Sequence, residues 1–388
     1  MKTTPFLQLN RAEARVQAVL LALVAWSILA FSLTGPGERS RFGPLKWADF
    51  AHFYTLGHIA RFGPADALYD SVAQHAVQVS LIPESAGDSF RIAYPPLTAF
   101  FFAPFSRLPY VAAGALWAAI SIALLLGIVT IIGRRSRLRT DWPLVYAVVL
   151  AFPPTWELVG YGQTTIVPIL AFALAWIALD LKRPLLAGVA LGALSVKPQF
   201  GIVVAVVALA CSEWRLIAGA CISVAVQVLL SAILFGWGVV ASYAGTVLTV
   251  ATTAMDVEAS PHMQHSLRVL FGLLPGYVGL VLLVLTSAAV VVAVVRIWRT
   301  SADSRTRMGT LVLASVLVNP HLYVYDASLL ILAGLWLGEA FSADSHWFWR
   351  RAYLLTLLVL VPTAALVRIQ LSVVAMLELF YQAQRRVS

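Results

Sequence analysis

Apolar runs without a polar face recur along the whole chain. Residues 111–133, 216–235 and 278–295 are the clearest. Each is long enough for a helix to cross a hydrocarbon core, which takes about 20 residues. A soluble helix of such length would carry a polar stripe along one side. The pattern predicts an all-α, polytopic membrane protein. Its predicted crossings are 16–33, one within 93–132, 142–158, 164–181, 185–197, 199–213, 216–235, 276–296, 309–320, 322–340, 351–366 and 369–384, about twelve transmembrane helices in all. Phe105 to Pro109 interrupts the second of these regions, which reads as one crossing plus a half-buried piece. Pro198 breaks the short pair 185–197 and 199–213.

Two segments alternate apolar and polar positions at helical spacing instead. Residues 48–61 and 71–81, separated by Gly63-Pro64, read as amphipathic helices lying on the membrane surface. They belong to a first outer loop, 35–92. A second outer loop, 236–275, is rich in small residues. No further domain boundary is evident, so residues 1–388 read as a single transmembrane domain.

Charge adds orientation. The net charge is +9 on a chain with only 12% charged residues. Clusters at Lys2/Arg11/Arg15, Arg134–Arg139, Lys182/Arg183, Arg215, Arg296–Arg307, Arg350/Arg351 and Arg385/Arg386 hold 18 of the 27 basic residues. Placing them inside satisfies the positive-inside rule and leaves both termini cytoplasmic. Basic charge then reports topology, and no aromatic-interleaved patch points to nucleic acid. Cys211 and Cys221 show neither metal nor disulfide spacing.

In this topology six of the seven histidines face outside. So do the acids Asp49, Asp66, Asp70, Glu157, Asp256 and Glu258. Polar groups at membrane ends are costly unless they work or line a wet cavity, so the candidate chemistry lies on the outer face. Asp49 and His52 share one face of the first surface helix, in Trp47-Ala48-Asp49-Phe50-Ala51-His52-Phe53-Tyr54. Two readings stand: a general base beside an imidazole, or an N-cap. Arg91 and Tyr94 precede the prolines of Tyr94-Pro95-Pro96-Leu97, which start a helix. Glu157 and Gln163 flank an outer turn and suit sugar hydroxyls, unless they are ordinary turn residues. Lys197, before Pro198-Gln199, either snorkels or meets a phosphate. Asn319-Pro320-His321 sits between two outer span ends, with Asp326 beyond it. His262-x-x-His265 has metal-like spacing without a third ligand nearby, and reads as a non-metal pair.

Taken in order, these pieces resemble glycosyltransferase family 87, of the GT-C class. The resemblance is carried by Asp49-Phe50 with Tyr54, Leu68-Tyr69-Asp70, Tyr94-Pro95-Pro96-Leu97, Gly162-Gln163-Thr164, Lys197-Pro198-Gln199 and Asn319-Pro320-His321. It implies a GT-C fold and an inverting, metal-independent transfer of one sugar with no cofactor. The donor would be a polyprenyl-phosphate monosaccharide, mannose by analogy with the family's mannosyltransferases. The acceptor would be a membrane lipid or glycan at the periplasmic face of a bacterial inner membrane. Asp49 would match the family's catalytic aspartate and His321 its late active-site histidine. His52, Tyr54, Arg91, Tyr94, Glu157, Gln163, Lys197, Gln199 and Asn319 would contact substrates. Two rivals use similar raw material: a lipid-linked oligosaccharide polymerase or ligase, and a secondary transporter.

Overall fold

The computed structural model describes residues 11–88, 94–135, 141–253, 263–300 without 273 and 275, 303–340, and 353–385 without 360 and 362. Among them every named element is helical. In chain order these are α1 (Arg11–Leu33), α2 (Ala48–Phe62), α3 (Ser71–Leu81), α4 (Pro96–Phe102), α5 (Tyr110–Arg134), α6 (Trp142–Ala151), α7 (Pro153–Tyr161) and α8 (Ile166–Asp180). Then follow α9 (Pro184–Gly192), α10 (Gly201–Ala210), α11 (Trp214–Phe235), α12 (Trp237–Thr253), α13 (Leu267–Gly272), α14 (Gly276–Arg299), α15 (Ser304–Leu317) and α16 (Leu330–Ala340). The helices Thr363–Val367 and Leu371–Arg385 close the described chain.

Among the described residues four helices, α1, α5, α11 and α14, are long and apolar enough to cross a membrane. The pair α6 and α7 makes a fifth if counted as one span bent by 58°. Length and composition therefore do not show the twelve crossings that the pattern predicts. The reason lies in breaks that a hydropathy reading spans. Pro153 and Pro154 lack amide hydrogens and end α6 at Ala151, so 142–158 is a bent pair and not a straight helix. Residues 185–197 end in a 3₁₀ turn, Ala193–Val196, and Pro198–Phe200 forms another before α10. Both sides of the predicted break at Pro198 are thus short. The segment 93–132 resolves into α4, a 3₁₀ turn and the single long α5.

The two segments expected to be outer loops, 35–92 and 236–275, also differ from expectation. The helices expected at 48–61 and 71–81 are present as α2 and α3, but α2 does not lie on a surface: residues 50–57 are buried on every face, whereas α3 buries only Gln74 and Gln78. Residues 236–275, read as a loop, contain the 17-residue α12. Its small residues disguise helical continuity, and its Val239 packs with Leu56, Ile59 and Leu68 under the first outer segment.

Side-chain burial follows the same logic. Leu20, Leu23 and Ile28 of α1, and Leu280 and Leu285 of α14, are more than half exposed, as lipid-facing surfaces require. α1 is tied to the rest where the Trp26 indole donates to the Leu150 carbonyl at 3.0 Å. α9 and α11 approach at glycines: a Cβ on Gly188 would lie 1.9 Å from the Leu216 carbonyl oxygen, and one on Gly219 2.0 Å from that of Leu185. Small residues at such contacts let membrane helices pack backbone to backbone. α15 is buried from Met308 to Leu317. It is capped at its start by Asp303, whose side chain accepts from the Arg305 and Thr306 amides. Its far end delivers Asn319 and His321.

Candidate active site

The first turn of α2 carries Asp49, and the residue before the helix decides where it points. Trp47 adopts the left-handed region (φ 49, ψ 53), a conformation that costs a non-glycine residue about 1–3 kcal/mol. Its surroundings compensate. The Trp47 indole is buried against Gly114, where a Cβ would come within 2.6 Å of the ring. The Tyr110 hydroxyl also meets the Lys46 and Trp47 carbonyls. Trp47, not Asp49, occupies the N-cap position, and no side chain caps the helix. The capping reading of Asp49 is thereby set aside. Its Oδ2 accepts the Gln163 side-chain amide at 2.6 Å, and its Oδ1 takes no hydrogen bond among the described residues. Burial pushes the Asp49 carboxyl up to about 6; the Gln163 hydrogen bond and the Lys197 charge hold it down, and Asp326 adds to the rise.

Gln163 is presented by a turn that requires glycine. Gly162 ends α7 at φ 69, and a Cβ there would stand 2.6 Å from the Phe50 Cβ. The Trp117 indole clamps the Gly162 carbonyl at 3.0 Å. Gln163 is buried, and its Oε1 accepts the Thr164 amide at 3.2 Å and the Tyr94 hydroxyl at 3.4 Å. Tyr94 is held in turn by Tyr69, which donates to its carbonyl at 2.7 Å. The Leu68-Tyr69-Asp70 turn thus works at a distance: Tyr69 supports Tyr94, and Asp70 caps α3 through the Val72 and Ala73 amides.

Lys197 has a partner that its sequence neighbours do not reveal. Its ammonium lies 2.7 Å from Asp326 Oδ1, and both side chains are almost fully buried. It also donates to the Thr165 hydroxyl at 2.9 Å, and that hydroxyl donates to Asp326. Lys197 therefore does not snorkel. An ammonium so balanced brings no net charge to an incoming phosphate, which removes the reason for assigning it the donor phosphate.

His321 is exposed at the end of an aromatic row. Its ring meets Tyr323 edge-on at 4.9 Å, Tyr323 stacks on Tyr325 at 5.7 Å, and Tyr325 lies 5.8 Å from Tyr161. Lys197 sits 5.0 Å above the Tyr325 ring, so the row runs from the solvent-exposed histidine to the buried ion pair. Asn319 is buried, and its Oδ1 accepts the His321 amide at 2.8 Å. It shapes the His321 turn. Arg268 donates to the Pro320 carbonyl at 2.8 Å, and the His265 amide to the Leu322 carbonyl at 3.1 Å. The His265 ring is bonded to Ser372 at 2.8 Å and to Gln370 at 3.1 Å. His262, Asp256 and Glu258 lie outside the described residues, as does Arg91.

The remaining predicted contacts divide. Glu157 and Gln199 are half-buried and make no hydrogen bond among the described residues, which leaves both available to a ligand. Glu157 lies within electrostatic reach of Asp49. His52 packs against Phe53 and Tyr94 at 5.5 and 6.2 Å, and burial pushes its pKa down to about 3. It is a neutral ring in the wall beside Asp49. The Tyr54 hydroxyl donates to the Leu108 carbonyl at 2.8 Å, so Tyr54 latches α2 to the turn before α5. Sequence reading singles out neither Thr165 nor Asp326 as a site residue. A polar pair in otherwise apolar surroundings is the only signal either position offers.

The arrangement brings together a half-buried carboxylate with one engaged oxygen, an amide-bearing turn, an aromatic row and the Glu157 carboxyl. These are parts for orienting a polyhydroxylated molecule and taking a proton from it. The sequence profile of glycosyltransferase family 87 matches residues 92–320. The chain belongs to glycosyltransferase family 87, and the protein is a glycosyltransferase with several apolar, membrane-type helices. No curated protein and no solved structure matches it.

Proposed function

We propose that the protein transfers a single sugar, with inversion and without a metal or other cofactor, from a polyprenyl-phosphate donor to a lipid or glycan acceptor. Mannose is the first sugar to test. The GT-C fold, with about twelve crossings and both termini cytoplasmic, belongs to this proposal. So does a site facing the periplasm of a bacterial inner membrane, lined by the 35–92 and 236–275 segments.

The observation that carries the reading is the Asp49 carboxylate. It is half-buried, held by Gln163 through one oxygen, and its carboxyl is raised to about 6. A general base works best when its pKa lies near the operating pH. In the proposed step the acceptor hydroxyl oxygen attacks the anomeric carbon while its proton passes to Asp49 Oδ1. The bond from that carbon to the phosphate oxygen breaks on the opposite face, and the polyprenyl phosphate leaves with the electron pair. One carboxylate suffices for inversion. Glu157 and Gln199 would bind sugar hydroxyls. Arg91, three residues before Tyr94 in sequence, is the cation proposed for the phosphate, and His321 is proposed as a second active-site residue.

The test is transfer by the purified protein in lipid nanodiscs, with polyprenyl-phosphate mannose, polyprenyl-phosphate glucose and GDP-mannose offered separately. Mass spectrometry of the lipid extract reads the product. One added hexose from a polyprenyl-phosphate sugar alone upholds the proposal. Transfer from GDP-mannose would overturn the donor class, and products carrying runs of sugars would indicate a polymerase.

A further inference from the structure

Lys197 and Asp326 are 129 residues apart in sequence and 2.7 Å apart in space. Two charges withdrawn from water are tolerated only when they are paired and hydrogen-bonded, and Thr165 completes this pair by accepting from one and donating to the other. All three stand at interruptions of helix. Lys197 separates two 3₁₀ turns, Asp326 lies in the 3₁₀ helix Val324–Leu329, and Thr165 precedes α8. Thr165 is two residues from Gln163, whose side chain holds Asp49. The ion pair therefore holds, through Thr165, the end of the turn that aims the proposed base.

We propose that Asp326, acting through Lys197 and Thr165, is a positioning residue for Asp49: it locks the 163–165 turn and balances the Lys197 ammonium whose charge acts on the carboxylate. The inference rests on the role of Asp49 as base. Cancellation matters because a carboxylate facing an unbalanced ammonium is a poorer proton acceptor. Lys197 pulls the Asp49 carboxyl down and Asp326 pushes it up. The other groups that bond to Asp49 or interact with its charge are Gln163, Tyr94, Tyr110 on α5, Glu157 and Tyr161 on α7, and Tyr325, while His52 on its own helix is a neutral ring. Tyrosines ordinarily ionise near pH 10, above the range in question. Glu157 is the other acid in the group, so its contribution is removed by repeating the measurement in Glu157→Gln protein.

The experiment is the pH dependence of kcat/KM in Asp326→Asn, Lys197→Met and the double variant, with Asp49→Asn as the inactive reference. Asp326→Asn leaves the ammonium unbalanced and should move the acid limb to lower pH. Lys197→Met leaves a second carboxylate and should move it to higher pH. The double variant should return the limb toward the wild-type position, with kcat reduced more than donor KM is raised. Limbs that stay in place, or move the same way in both single variants while Asp49→Asn is inactive, would overturn the inference. An active Asp49→Asn protein would instead overturn the base assignment, and the inference with it. Should a single variant fail to fold, Thr165→Val decides: a fallen kcat restored by Thr165→Ser upholds the inference, and an unchanged kcat overturns it.

Discussion

The Gln163 side-chain amide reaches the Asp49 carboxylate at 2.6 Å, joining two segments 114 residues apart in sequence. The contact engages Oδ2, while Gly162, Trp117 and Thr164 hold the amide itself in place. A carboxylate oriented in this way spends no further entropy on alignment when a hydroxyl arrives.

Removing that amide should weaken catalysis without unfolding the protein. A hydrogen bond to a charged group contributes about 1.5–3 kcal/mol, so Gln163→Leu should lower turnover on the order of 10- to 100-fold. Because the amide lowers the Asp49 pKa, its loss should also move the acid limb of the rate profile to higher pH. Single-turnover transfer rates between pH 5 and 8, roughly the range over which such a base titrates, check both effects.

The wild-type profile has its own expectation. Only the ionised carboxylate accepts a proton, and burial raises that carboxyl to about 6. Below about pH 6, kcat/KM should therefore fall close to tenfold per pH unit for a single titrating base. A profile flat to pH 5 would mean that a group with an ordinary carboxylate pKa is the base.

Gly162→Ala should be destabilising as well as inactivating. The residue sits at φ 69, and its new Cβ would meet Phe50 Cβ at 2.6 Å. Strain and overpacking together should cost about 1–3 kcal/mol, seen as a lower unfolding temperature in detergent. The same shift would displace Gln163 from Asp49. Wild-type stability in this variant would contradict the packing described for the turn.

Sidedness can be read chemically once Cys211 and Cys221 have been replaced. Val72 on α3 is 78% exposed, and Val72→Cys should be labelled by an impermeant maleimide from outside. Arg183→Cys, in the exposed turn between α8 and α9, should be labelled only from inside. The reverse pattern would invert the topology and place Asp49 in the cytoplasm.

Some of this architecture is legible in the sequence, and the boundary has physical causes. α2 and α3 show as helical periodicity, and Gly162 shows as a turn because few residues tolerate its backbone. Pro153-Pro154 announces the bend between α6 and α7, although a hydropathy window averages across it. α12 is hidden because serine, threonine, glycine and alanine weaken the apolar signal that marks a helix. The identity of Asp49 as a candidate is visible, but its partner is not: nothing near either residue specifies Gln163. The same holds for Lys197, which looks solitary until Asp326 is brought to it. Tyr54 shows the opposite case, a polar residue beside the site whose hydroxyl is consumed by the Leu108 carbonyl. Contacts made by tertiary packing leave no local pattern to read.

Asp49 is the centre of the account, and Asp70 supplies its control. Asp70 is an exposed cap of α3, and asparagine caps helices about as well as aspartate. The decisive measurement is sugar transfer and donor affinity in Asp49→Asn and Asp70→Asn proteins, side by side. Loss of a general base typically lowers rate about 10²–10⁴-fold. Asp49→Asn should show that loss, with donor affinity and folding nearly unchanged, and Asp70→Asn should behave as wild type. Near-normal turnover in Asp49→Asn, or an equal loss in both proteins, would contradict the assignment of Asp49 as the base.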